Sequence, residues 1–163
     1  MQKTKDFCYI GIFAAIIAVS AQIIIPLPPV PITLQTFAIS FAGVALGAKR
    51  GTLAALIYIL LGAVGLPIFA GFGGGIGHIA GPSGGFIMSF PLMALAAGFY
   101  RYSHIWLVVG VLVNYLCGML YFAWVTNNSL TVAFTLTVLR FIPGDIVKIA
   151  LAGIIGERVR KAV

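Results

Sequence analysis

The sequence predicts an all-α integral membrane protein: one domain over residues 1–163, with six transmembrane helices and both termini in the cytoplasm. Three observations predict it. Of the 163 residues, 61% are hydrophobic and 8% charged, with a mean hydropathy of +1.13. A water-soluble domain of this size cannot hide so much apolar surface. The apolar residues fall in runs long enough for membrane helices, and the short alternating strands of an outer-membrane barrel are absent. The charges lie in small groups between these runs, as topology determinants do. A net charge of +7 therefore does not imply nucleic acid, because no long basic run or basic face accompanies it.

The first span covers about residues 7–25. Lys3 and Lys5 ahead of it resemble the start of a signal peptide, and Val19-Ser20-Ala21 resembles a weak cleavage site. The run is long for such a segment and ends in a proline-rich turn, so it reads as a retained helix. Its small residues Gly11, Ala14, Ala18 and Ala21 recur every three or four positions. That stripe suits close packing, either within the chain or against another membrane subunit. Residues 26–32 form an uncharged, stiff turn. Span 2, about 33–48, opens Thr33-Leu34-Gln35-Thr36 and is closed by Lys49-Arg50. Span 3 is about 51–69, loosened by Gly62, Gly65 and Pro67.

The glycine-rich segment 71–85 is too broken for a helix and too apolar for a solvated loop. It reads as a lid or pocket wall. It has no GxxxxGK[ST] pattern and no βαβ context, so it is not a nucleotide loop. His78 has no companion ligand types, and no metal site is expected. Span 4, about 86–100, ends at Tyr100-Arg101-Tyr102. Span 5, about 105–124, carries a tryptophan near each end (Trp106, Trp124) and one mid-span polar residue, Asn114. Such a residue either bonds a neighbouring helix or touches a pocket. Residues 130–141 suggest a short helix or half-span, and Pro143 starts span 6, which runs to about 157. The other aromatic residues are scattered and read as span and interface residues. Cys8 and Cys117 read as small hydrophobes with no disulfide implied.

Lys3, Lys5, Lys49, Arg50, Arg101, Arg158, Arg160 and Lys161 all fall at alternate span ends, and the other ends carry no Lys or Arg. The positive-inside rule places the former in the cytoplasm. Asp6 and Glu157 share those ends. Arg140, Asp145 and Lys148 remain, within nine residues of one another. Asp145 and Lys148 share one face of a helix's first turn, beneath the uncharged outer loops. An ionisable pair in a membrane is a functional-site hypothesis by default. The alternative is a structural ion pair that neutralises itself. As a site, it would take a small, mostly apolar ligand with a few N–H, C=O or carboxylate groups. An enzyme is not supported: there is no Ser/His/Asp set and no metal pattern. A small proton-coupled carrier, with Asp145 carrying the proton, stays open, as does a purely structural subunit.

Four segments resemble the BioY proteins, the biotin-specific S components of energy-coupling factor (ECF) transporters. They are Val30-Pro-Ile-Thr-Leu-Gln-Thr-Phe37, Gly62-Ala-Val-Gly-Leu-Pro-Ile-Phe69, Gly81-Pro-Ser-Gly-Gly-Phe86 and Pro143-Gly-Asp-Ile-Val-Lys148. The third is similar to a GPTGG(Y/F) signature, with Ser83 in place of Thr; the fourth matches PGDxxK. The resemblance implies the ECF S-component fold in the cell membrane of a prokaryote. It implies capture of biotin from outside, with no cofactor of the chain's own. It also implies a transmembrane T component and two cytoplasmic ATPases that hydrolyse ATP, since this chain has no ATPase motif. A different vitamin is the alternative ligand. The resemblance assigns Asp145 and Lys148 as polar contacts to the ligand, with Asp145 to a ureido N–H and Lys148 to the ureido carbonyl or the carboxylate. Thr33, Gln35, Gly84, Gly85 and Asn114 would line or cover the site. Arg140 stands where the family often has proline; it would either hold the carboxylate or face the outer interface. Ala14 and Ala18, matching AxxxA, would dock the T component.

Overall fold

The structure is a computed structural model that describes residues 2–101 and 104–162. Tyr102, expected at the end of span 4, lies outside the described residues. The helices are α1 (Gln2–Ser20), α2 (Gln35–Leu46), α3 (Ala48–Ala63), α4 (Ile76–Ala80), α5 (Gly84–Ala97), α6 (Ile105–Thr126), α7 (Leu130–Phe134) and α8 (Ile142–Arg160). A two-stranded antiparallel ladder, β1 (Ile24–Ile25) with β2 (Ile32–Thr33), closes the proline-rich turn. A π-turn over Thr135–Leu139 continues α7.

α2 is the central helix. Most of its twelve residues are buried, and it packs against α1, α3, α5 and α8. Small residues make this possible, since a side chain at Gly43 would strike the Ala94 carbonyl and Ala97, and one at Gly156 would strike Val44 at 2.8 Å. Between membrane helices, where lipid removes most of the hydrophobic drive, such close approach supplies the attraction. The interior is filled by Ile10, Phe13, Ile17, Ile39, Tyr58, Phe90 and Met93. α5 lies along α6, and α8 along α2.

The outside is apolar too. Leu60, Val64, Trp124 and Ile146 are 63, 80, 75 and 63% exposed. A bundle greasy within and without is built for a lipid solvent. By length and composition, α6 is the one helix among the described residues that would cross a membrane unaided. At one end of the bundle Arg50 bridges Asp6 at 3.1 Å, tying α3 to α1. That pair is half-exposed, so it contributes about 0.2–1 kcal/mol.

Two sequence expectations need revision. The glycine-rich segment does contain a helix, the short α4, preceded by a single 3-10 turn at Ala70–Phe72. Ala14, expected on an outward docking stripe, is 5% exposed and belongs to the interior cluster, beside Phe13 and Ile17. Ala18 is half-buried, while Gly11 and Ala15 are exposed. The small-residue spacing is shared by two faces of α1, and the bulky Ile10, Phe13 and Ile17 turn Ala14 inward.

Candidate ligand-binding site

Asp145 stands one turn into α8. Pro143 occupies the first turn, where its missing N–H costs nothing. The Asp145 N–H donates to Phe141 O at 2.9 Å. The carboxylate is 2% exposed, so each oxygen needs donors. Oδ1 accepts from Thr36 Oγ1 at 2.9 Å and from Lys148 Nζ at 2.8 Å; Oδ2 accepts from Tyr115 OH at 2.6 Å. Lys148 Nζ also donates to the Thr33 carbonyl at 2.7 Å and to Thr36 Oγ1 at 3.4 Å. The β1–β2 ladder presents that Thr33 carbonyl. Helices α2, α6 and α8 thus meet at one neutralised ion pair.

The pair borders a cavity at the end of the bundle opposite Arg50–Asp6. It contains about 520 Å³ of space unfilled by atoms, part of it open to solvent. Its walls are mostly apolar, with Val30, Ile32, Phe86, Ile87, Phe90 and Phe141 prominent. Thr33, Gln35, Asn114, Asp145 and Lys148 all line it. The Asn114 amide nitrogen donates to Phe86 O at 2.9 Å and to Ser89 Oγ at 2.8 Å. The carbonyl of Phe86 can only accept, which fixes the orientation of the amide. Asn114 is 1% exposed, and its Oδ1 has no hydrogen-bond partner. Gln35 holds the wall: its Nε2 donates to Tyr58 OH at 2.6 Å, and its Oε1 accepts from Thr33 Oγ1 at 3.0 Å.

Three predicted contacts are placed elsewhere. Gly84 and Gly85 are buried but do not line this cavity. A side chain at Gly84 would strike the Ile79 carbonyl, and one at Gly85 the Tyr121 side chain and, at 2.7 Å, the Cys117 carbonyl. Their role is to seat α5 against α4 and α6. Arg140 is exposed; its guanidinium donates to Pro28 O at 3.3 Å, outside the cavity lining. The next residue, Phe141, faces the cavity, but the turn before α8 carries Arg140 to the outer surface.

Tyr115, Tyr58 and Thr36 were missed. The tyrosines resemble any span aromatic in sequence, yet both are buried with bonded hydroxyls. Thr36 had one available signal: it lies beside Gln35, one residue from the predicted set.

His78 also lines the cavity and stacks on Phe69, with ring centroids 5.2 Å apart. Burial pushes its imidazole pKa below the usual 6.5, so folding favours the neutral ring. An unfolded histidine takes a proton more readily. The stacked arrangement is therefore fully stable above about pH 6.5 and loses stability as the pH falls below it. Hydrogen exchange across 73–80, corrected for intrinsic rates, is expected to accelerate on acidification to about pH 5. His78→Phe should remove that acceleration; an unchanged pH profile would separate the ring from the stability of this segment. Among the described residues no group of three His, Cys, Asp or Glu side chains is placed to hold a metal.

The family model described as BioY family matches residues 1–163. The chain belongs to the BioY family. A probable biotin transporter BioY of Pyrococcus horikoshii is 47% identical over 161 residues, covering 97% of this chain and 98% of that protein. A biotin transporter BioY of Thermotoga maritima is 38% identical over 158 residues, covering 93% of each. The crystal structure of the S component for biotin from an ECF-type ABC transporter superposes with a TM-score of 0.91 at 31% identity, over 98% of this chain and 93% of that one. The helical architecture of this BioY chain is therefore that of an ECF S component, and its apolar exterior belongs to a membrane transporter family.

Proposed function

We propose that this BioY chain is the membrane-embedded, biotin-binding S component of an ECF-type vitamin importer, acting as one domain in a prokaryotic plasma membrane. The observation that carries the reading is the surplus of acceptors on two residues that line the cavity, Asp145 and Asn114. Asp145 Oδ2 takes one hydrogen bond and can take another. Asn114 Oδ1 takes none. By contrast, the Lys148 ammonium already donates to three oxygens, of which Thr36 Oγ1 is the most distant. A ligand suited to this site brings N–H donors to Asp145 and Asn114. It also brings one carbonyl that draws Lys148 from Thr36. A cyclic urea on a compact apolar body has that pattern, and the apolar walls suit the remainder of biotin.

Six helices cross the bilayer in this reading: α1, α2, α3, α5, α6 and α8, with both termini cytoplasmic. At 1.5 Å per residue α2 is only about 18 Å long, short for a lipid-facing span, but it is enclosed by its neighbours. The cavity then opens outward. A T component and two ATPases complete the importer and supply the energy.

Direct titration of purified protein with biotin, without ATP, tests the reading. Saturable binding that other vitamins do not displace supports it. Displacement by another vitamin would reassign the ligand, and pH-gradient-driven uptake by the lone chain in liposomes would favour a proton-coupled carrier. Arg140→Ala is expected to change affinity less than about threefold, as a rim contact should. A tenfold loss would bring Arg140 into the site.

Docking on α1 would use Gly11, Ala15 and the exposed part of Ala18, rather than Ala14. Ala14→Trp is expected to prevent accumulation of folded protein, because a large side chain there overpacks the core. Ala18→Trp should retain biotin binding but fail to co-purify with the T component. Normal assembly of that variant would remove α1 from the interface.

A further inference from the structure

Gln22, just beyond the end of α1, is absent from the cavity lining, yet it brackets a segment that forms part of it. Its amide nitrogen lies 3.3 Å from the Ile68 carbonyl, 3.1 Å from the Phe69 carbonyl and 3.2 Å from Ala18 O. Its Oε1 accepts from the Phe72 N–H at 2.9 Å. Between these points lies Ala70, which lines the cavity. Gly71 and Phe72 both have left-handed backbone, at φ 69° and 59°. For a phenylalanine this is a strained conformation that surroundings must hold in place. The Phe72 side chain is exposed, so packing does not hold it; the Gln22 oxygen does, together with the Phe69 N–H, which donates to Gly73 O at 2.9 Å across the turn. Tyr58, bonded to Gln35 beside the site, also donates to Ile68 O, at 3.1 Å. Tyr58, behind the cavity wall, and Gln22, beyond the end of α1, therefore share the same carbonyl.

We propose that Gln22 is a latch that holds the 68–72 segment against the cavity, and so sets how fast a ligand enters and leaves. It is a positioning residue, with no ligand contact of its own. The ligand used to read it out rests on the biotin assignment above. A latch acts on the gate alike with and without ligand, so its loss speeds both directions. Loss of a ligand contact speeds dissociation alone.

The test uses the full chain in detergent, as wild type, Gln22→Met, which keeps the bulk, and Gln22→Ala. Association and dissociation of radiolabelled biotin are followed together with hydrogen exchange of residues 68–75. Both rates are expected to rise about tenfold in the variants, at unchanged stoichiometry and with a smaller change in Kd, as loss of a bonded side chain allows. Exchange at 68–75 should accelerate in parallel. Wild-type rates in both variants overturn the latch, as does faster dissociation with unchanged association. If the wild-type chain binds no biotin, the biotin assignment fails by itself. The latch then rests on exchange alone: acceleration at 68–75 in the variants supports it, and wild-type exchange overturns it.

Discussion

Asp145→Asn is expected to weaken biotin binding by about 30- to 150-fold, the equivalent of roughly 2–3 kcal/mol for a charge-assisted hydrogen bond in a dry site. The asparagine preserves the shape of the residue, but one of its two positions becomes a donor facing donors. Thr36, Tyr115 and Lys148 all aim hydrogens at this carboxylate, so the substitution also disturbs the fold. Lys148 is left without its anion in the interior, which costs about 3–5 kcal/mol of stability. The two effects separate in the double variant Asp145→Asn with Lys148→Met. Removing both charges relieves the folding penalty, because an uncharged pair of similar volume is tolerated. It does not return the carboxylate acceptor proposed for the ligand. Calorimetric titration of the double variant should therefore find a folded protein with weak binding. If it binds biotin as tightly as the wild type, the ion pair is structural and the binding site lies elsewhere in the cavity.

Gly84→Val is expected to cost about 3 kcal/mol or more, the upper end of overpacking penalties, and to lower the midpoint of thermal unfolding in detergent sharply. The obstruction is the Ile79 carbonyl, a backbone atom that cannot rotate away. The same carbonyl accepts from Tyr121 OH at 3.3 Å, so moving it disturbs the contact between α4 and α6 as well. A variant that reaches the membrane folded, with normal unfolding and reduced affinity, would restore Gly84 to the ligand contacts predicted from the sequence. The expected pattern is the reverse: the fraction of folded molecules falls, and those that remain bind normally.

Much of the site was legible because charge is scarce. In a chain with three acids, a carboxylate inside an apolar run stands out, and its lysine three residues on falls on the same helical face. Asn114 was likewise legible as a polar group within a span, while Gln35 and Thr33 entered through the resemblance of their segment to the BioY proteins. All five line one cavity. Tyr115 was not legible. A tyrosine in a span has the same local sequence whether it faces headgroups or the core, and its partner is thirty positions away. Gln22 was hidden for a related reason: its partners are three backbone groups of a loop some fifty residues on.

Small residues show the limit most clearly. Alanine and glycine permit close approach without saying to what. Gly84 and Gly85 could equally serve a ligand or a neighbouring helix, and Ala14 a partner subunit or the chain's own core. Composition by itself determined the solvent: a chain this apolar with charges this sparse belongs in lipid. The alternation of basic groups determined which ends lie together, and the Asp145–Lys148 spacing determined that the pair acts as a unit. Only the tertiary structure decided which small residues face inward. It also decided that Arg140 turns outward while Asp145 turns in, and that a glutamine at the end of α1 grips the cavity's edge. Those outcomes depend on contacts between residues far apart in the chain, where steric fit and hydrogen-bond geometry choose among placements that local sequence leaves equal.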